Sequence, residues 1–154
     1  MKVHIDCDPG HDDMMAIMLA LASPEIELLG ISTVAGNQTG DKTYRNALRT
    51  LTLIGRKDIA VAMGAMRPLL RELTVAPMIH GVSGLDGADL PEPAFEGDRR
   101  HAVDLIIQDI MGSAEPVTLV PTGPLTNVAL ALLKEPRLAQ AVSRIVLMGG
   151  AVHD

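Results

Sequence analysis

Between Lys2 and Asp13 the chain reads KVHIDCDPGHDD, a short apolar run that breaks into four carboxylates, Asp6, Asp8, Asp12 and Asp13, within eight residues. Val3, Ile5 and Cys7 alternate with His4, Asp6 and Asp8, the period-two pattern of a strand, and Pro9-Gly10 stops it. From Asp13 onward the sequence DMMAIMLALA predicts an apolar helix. The acids therefore fall on the turn between a strand's carboxyl end and a helix N-terminus, where open α/β sheets place their ligands. The helix-end dipole favours each carboxylate there by only ~0.3–1 kcal/mol, too little to hold so many together. Like charges this close raise one another's pKa unless a cation lies between them, so the cluster predicts a metal site. Asp12 or Asp13 is also an ordinary N-cap, but capping leaves Asp6 and Asp8 without a purpose. All the evident ligands are oxygen donors, which suits Ca²⁺ or Mg²⁺ rather than zinc or copper.

The rest of the chain repeats the strand-turn-helix theme. Ile26 to Val34, Ile59 to Met63, Val117 to Val120 and Arg144 to Met148 read as further strands. Helical spacing of apolar residues predicts helices over Tyr44 to Ile54, His101 to Met111 and Leu125 to Leu133, with a short one from Glu135-Pro136 to Val142. Residues 64 to 98, with four prolines and five glycines, form a long irregular excursion that contains HGVSGLDG; loops of that length more often serve function than idle. Five strands alternating with helices predict an α/β fold, an open, mostly parallel, Rossmann-like sheet with helices on both faces, as one domain over residues 1–154. In such a sheet the turns after the strands, DCDPGHDD, AGNQTG, MGAM, PTGPLTN and MGGAVHD, emerge on one edge and share a crevice.

Composition narrows the partners. A net charge of −6 and a pI near 5.3 argue against nucleic acid and against an anionic membrane, both of which need a basic face. The N-terminus shows no apolar leader with a cleavage site. Met14 to Pro24 is too short to cross a bilayer, and Pro116 to Leu133 carries three prolines and a glycine. A cytoplasmic location is expected on these grounds. The lone Cys7 excludes an internal disulfide and a Cys/His zinc cluster, and reads as a small buried apolar residue. Tyr44 and Phe95 are the only aromatics, so an aliphatic, methionine-filled core is expected.

DCDPGHDD, TVAGNQT, HGVSGLDG, VPTGPLTN and VLMGG, in this order and spacing, resemble the N-terminal half of the inosine/uridine-type nucleoside hydrolases, which are ribonucleoside N-glycosidases. The resemblance covers essentially the whole chain, and DxDxxxDD is its most specific part. It implies hydrolysis of a ribonucleoside to ribose and free base, as in nucleoside catabolism and purine/pyrimidine salvage, by a Ca²⁺-dependent homodimer or homotetramer. It implies Asp8, Asp13 and the Thr122 backbone carbonyl as Ca²⁺ ligands, with Asp8 also the general base towards a calcium-bound water. It implies Asp12 on the ribose hydroxyls, Asn37 and Met148 lining the ribose pocket, His80 towards the base, and Asp6 supporting the ligands from behind. Singly, several of these residues have plainer readings: Asn37 as a turn residue, Thr122 as a helix cap, His80 as a loop hydrogen-bonder and Met148 as core.

Two departures qualify the expectation. Val82 stands where many members have Glu in HGESG. Members also extend well beyond this length, and their second half supplies another aspartate ligand, a histidine that protonates the leaving base, and Asn and Glu contacts to ribose. The chain is then either a fragment of a longer protein or a shortened product; in the second case it is expected to bind metal weakly and to hydrolyse negligibly, an inactive half-domain that self-associates or binds a partner. A metal-dependent phosphatase of the haloacid-dehalogenase type, whose DxDG motif also follows a first strand, is the other alternative; Asp6 would be its nucleophile, although Asp12 and Asp13 have no role in that chemistry. Base preference is not legible, beyond a likeness of His11 in the acidic motif to pyrimidine-preferring members.

Overall fold

The computed structural model describes residues 1–150, so the last four residues of the MGGAVHD turn lie outside the described residues. The acidic motif's own strand, β1 (Lys2–Cys7), sits in the middle of the sheet. Beside it run β2 (Glu27–Thr33) and then β3 (Ala60–Met63) on one side, and β4 (Val117–Pro121) and then β5 (Arg144–Ile145) on the other. Every pairing is parallel, with His4 opposite both Gly30 and Leu119.

Alternation along β1 sorts the two helical layers. Val3, Ile5 and Cys7 pack with Ile17 of α1 (His11–Ala22) and with Leu48 and Leu51 of α2 (Gly40–Leu53). The short α3 (Pro77–His80) belongs to the excursion and to neither layer. Against the opposite face lie α4 (Ala102–Met111), α5 (Thr126–Lys134) and α6 (Leu138–Ala141), whose Ile106, Val128 and Leu138 close over Val117 and Leu119. Each fully buried side chain of this kind contributes ~1.5–3 kcal/mol. The expected three-layer α/β sandwich is what forms.

Three details differ from expectation. First, α1 begins at His11 with Gly10 at the N-cap, so Asp12 and Asp13 lie in its first turn and neither is the cap. Second, the core is aliphatic but holds no methionine: Val, Ile, Leu and Ala fill it, while Met15, Met66, Met78 and Met148 are exposed. Parallel strands covered on both faces select compact β-branched side chains, and these exposed methionines fall on an outward position of α1, in the excursion and in the last turn. Third, β5 is only two residues long. The ladder nevertheless continues on one side, with the Val146 N–H donating to the Leu119 carbonyl and the Met148 N–H to that of Pro121, each at 2.9 Å. Pro121 has no N–H with which to return a bond, which ends regular pairing there.

Residues 64 to 98 are irregular as expected, apart from α3 and an isolated bridge between Ala62 and Asp98. HGVSGLDG is a coil with positive φ at Gly81, Gly84 and Gly87, backbone that side-chain-bearing residues adopt only with strain. Gln38 Nε2 donates to the Gly81 carbonyl at 2.9 Å, Lys42 Nζ to that of Val82 at 2.6 Å, and Asn46 Nδ2 to those of Ser83 and Pro9 at 2.9 and 3.1 Å. One face of α2 thus ties this loop to the acidic turn.

Candidate metal and ribose site

A crevice of about 500 Å³ opens at the carboxyl ends of β1, β4 and β5, lined by Asp8, Asp12, Asn37, Thr122, Leu147 and Met148 among others. Four of the five turns expected to converge therefore do so. The third, at Met63 to Met66, instead borders a larger hollow of about 750 Å³ beside Tyr44, Phe95 and Arg99, which contains none of the acidic turn.

Asp8 in the crevice and Asp13 behind its lining are almost wholly buried, while Asp12 is exposed on the wall. The Asn37 N–H donates to Asp8 Oδ2 at 2.7 Å, and Asn37 Nδ2 donates to the Asp8 carbonyl at 3.0 Å and to Asp13 Oδ2 at 3.5 Å. Thr122 Oγ1 donates to Asp13 Oδ1 at 2.6 Å, and the Gly10 N–H to Asp13 Oδ2 at 3.3 Å. Asn37 and Thr122 thus hold the carboxylates themselves, beyond the turn and cap roles that either residue type often fills. Met148 is 57% exposed on the crevice wall and is not core. His80 is absent from the crevice lining; it stacks on His11 with ring centroids 5.5 Å apart, against the outer side of the acidic turn. His11 Nε2 in turn meets the Asp86 carbonyl at 2.9 Å.

Asp6 lies behind the crevice and is fully buried. Its Oδ1 accepts from Ser32 Oγ and Asn127 Nδ2, and its Oδ2 has no partner among the described residues. Burial of this completeness removes it as a phosphatase nucleophile. Asn127 also donates to the Thr33 carbonyl and accepts from the Ala65 N–H, so it cross-links the ends of β1, β2 and β3. Sequence reasoning misses Asn127, Ser32, Asn46 and Gln38; polarity inside an apolar pattern signals Ser32 on β2 and Asn127 on α5, while Gln38 in a polar turn and Asn46 on the polar α2 carry no such signal.

Electrostatics supports a cation here. Desolvation, then the Asp13 charge, pushes the Asp8 carboxyl up to about 7; desolvation raises Asp13 as well and lifts Asp6 to about 6. Among the described residues none of the three is paired with Lys or Arg. Buried acids without a counter-ion are costly unless neutralised by a proton or a metal. The oxygen-only donor set fits a hard cation, although no three His, Cys, Asp or Glu side chains group around one point among the described residues. The donors present could supply only part of a coordination shell. Space around Asp8 is also tight: a Cβ at Gly36 would collide with its carboxylate, and one at Gly123 would lie 2.6 Å from Oδ1. Gly36→Ala is expected to displace Asp8 and weaken Ca²⁺ binding about tenfold or more, measured by calorimetric titration; unchanged affinity would show that the carboxylate has room to move.

Fold and crevice together define a doubly wound α/β protein with an oxygen-donor ligand site at its strand ends. Residues 3–154 match the family model described as inosine-uridine preferring nucleoside hydrolase, and the chain belongs to that family. It is 57% identical over 152 residues to the pyrimidine-specific ribonucleoside hydrolase RihA of Escherichia coli, covering 99% of this chain and 49% of that protein. It is 58% identical over 149 residues to the RihA of Photobacterium profundum, covering 97% and 48%. Among solved structures, the purine-preferring ribonucleoside hydrolase from Gardnerella vaginalis superposes with a TM-score of 0.92 at 37% identity, over 98% of this chain and 49% of that one. The chain spans about half the length of the curated relatives it matches. No helix among the described residues is long and apolar enough to cross a membrane.

Proposed function

We propose that this chain supplies the metal- and ribose-holding half of a site that hydrolyses the N-glycosidic bond of pyrimidine ribonucleosides. The observation that carries the proposal is the pairing of two buried, uncompensated carboxylates, Asp8 lining the crevice and Asp13 bonded to its lining residues Asn37 and Thr122, with an exposed third, Asp12, on the wall. The pyrimidine preference rests on the curated relatives, which are named pyrimidine-specific and share 57% or more of their residues with the chain over the matched length.

Asp8, Asp13 and the Thr122 carbonyl would hold Ca²⁺, which acidifies a water and grips the ribose cis-diol when bound. Asp8, its Oδ2 fixed by the Asn37 N–H, takes the proton from the attacking water, as a carboxylate within hydrogen-bond reach of that proton can. Asp12 accepts hydrogen bonds from ribose hydroxyls, and Met148 covers the sugar. As the bond to the base breaks, positive charge develops on the ribose ring, and carboxylates facing a partly desolvated crevice stabilise it. His80, stacked on His11 beside the acidic turn, would lie towards the base if substrate extends past the crevice lining.

A chimera in which residues 1–154 replace the matching half of the Escherichia coli relative tests this directly. It is expected to release ribose from uridine and cytidine in the presence of Ca²⁺, at least about tenfold faster than from inosine, and no phosphate from a generic phosphate ester. A folded chimera inert towards all ribonucleosides would favour the inactive half-domain instead.

A further inference from the structure

Behind the crevice a run of buried polar groups extends along one face of β1, and its far end has no part in the chemistry proposed above. His4 is completely buried. Its Nδ1 lies 2.7 Å from Asp109 Oδ2 on α4, and its Nε2 lies 3.0 Å from Ser32 Oγ on β2. Ser32 Oγ donates to Asp6 Oδ1 at 2.5 Å, and Asn127 Nδ2 donates to the same oxygen at 2.8 Å. The Asp6 carbonyl accepts from the Thr122 N–H at 2.8 Å, so the turn bearing Thr122 is anchored on the same residue.

Hydrogen counting gives the array a direction. Ser32 Oγ lies 2.5 Å from Asp6 Oδ1 and a longer 3.4 Å from the Ile5 carbonyl, so its single hydroxyl hydrogen points to Asp6 and Ser32 accepts from a hydrogen on His4 Nε2. Nδ1 faces a carboxylate, and since a bare ring nitrogen and a carboxylate oxygen both only accept, the 2.7 Å contact with Asp109 holds a second proton between them. Without Asp109 that second proton is lost, and a neutral ring free to take either tautomer can turn Nε2 into an acceptor and draw the Ser32 hydroxyl away from Asp6. The backbone is cleared for this contact: Gly30 lies mid-strand opposite His4, and a Cβ there would sit 2.6 Å from Asp109 Oδ2 and 3.4 Å from His4 Cε1. Glycine weakens a strand interior, and here its absent side chain makes room for the carboxylate.

We propose that His4 and Asp109 are positioning residues, which hold the Ser32 hydroxyl on Asp6 and through Asp6 set the β1 end and the Thr122 turn that carry the cation site. Only the functional readout rests on the calcium reading; the array itself is independent of it.

Three variants of the 154-residue chain test the proposal: Asp109→Ala, Asp109→Asn and Ser32→Ala. Asp109→Asn retains an N–H able to donate to Nδ1. Without metal, the Asn127 side-chain amide signals in NMR spectra are expected to shift in Asp109→Ala and Ser32→Ala and to return close to wild type in Asp109→Asn. By calorimetry, Asp109→Ala and Ser32→Ala each weaken Ca²⁺ binding about tenfold, the double variant is no worse than either single, and Asp109→Asn restores affinity. Unmoved Asn127 signals in Asp109→Ala, additive losses, or an Asn variant as impaired as the Ala variant would each overturn the role. A wild-type chain that binds no Ca²⁺ removes the calcium reading alone, and the positioning role is then decided by the Asn127 signals.

Discussion

Asp8→Asn in the chimera is expected to lower kcat for uridine by about 10³-fold or more, because one substitution removes both the base and a cation ligand. The two losses are separable with Asp13→Asn. Asp13 is proposed to hold the cation without accepting the water's proton, so raised Ca²⁺ restores turnover to Asp13→Asn and leaves Asp8→Asn inactive. The amide preserves the shape of the carboxylate and an acceptor for the Asn37 N–H, which sits 2.7 Å from Asp8 Oδ2. Steady-state ribose release across a Ca²⁺ series is the measurement. Wild-type-like kcat in Asp8→Asn would falsify its assignment as base.

The metal-free chain should melt at a higher temperature as the pH is lowered from 8 to 5. Asp8 titrates near 7 and Asp6 near 6 in the folded protein, against 3.8 when exposed. The folded state therefore binds more protons than the unfolded state across this window, so stability is fully present below about pH 4 and is lost as pH rises through 6 to 7. Every tenfold difference in proton affinity between the two states is worth about 1.4 kcal/mol, which for a chain of this size gives a rise on the order of 5 °C or more. Opposing effects come from carboxyls held down by arginines, such as Asp98 beside Arg100, at about 2; their stabilisation is lost only below about pH 4, outside the window. Bound Ca²⁺ replaces the missing protons, so it should raise the melting temperature at pH 8 far more than at pH 5. A flat pH profile together with no calcium response at pH 8 would remove the buried acids as an electrostatic problem.

Element types and order are legible because each strand carries its own evidence. Ile26 to Val34 is apolar enough for a strand covered on both faces, and Pro9-Gly10 and Gly55 mark the breaks between elements. Pro121 even contains the reason for the short β5, since a residue without an N–H cannot return a ladder bond. The placement of methionine is not legible, because composition says what is available for a core and not which positions face it.

Within the site, Asp8, Asp12, Asp13, Asn37, Thr122 and Met148 are legible because strand ends in a parallel sheet share an edge, and all six do line or hold the crevice. His80 has only its motif to direct it towards the base; the loop geometry set by Gln38, Lys42 and Asn46 puts it outside the crevice lining, against His11. Local sequence says nothing about a clamp whose parts lie some forty residues apart.

By itself the sequence determined the strand-turn-helix order, the oxygen-donor chemistry of the first turn and the need for something to neutralise it, because periodicity, turn residues and charge density are local properties. Tertiary structure alone decided which acids are desolvated, which is exposed, and that His4, Ser32, Asp109 and Asn127 join behind them. Burial and hydrogen-bond partnership depend on residues distant in the chain, and in KVHIDCDPGHDD that distance separates Asp12 on the crevice wall from Asp6 sealed beneath it.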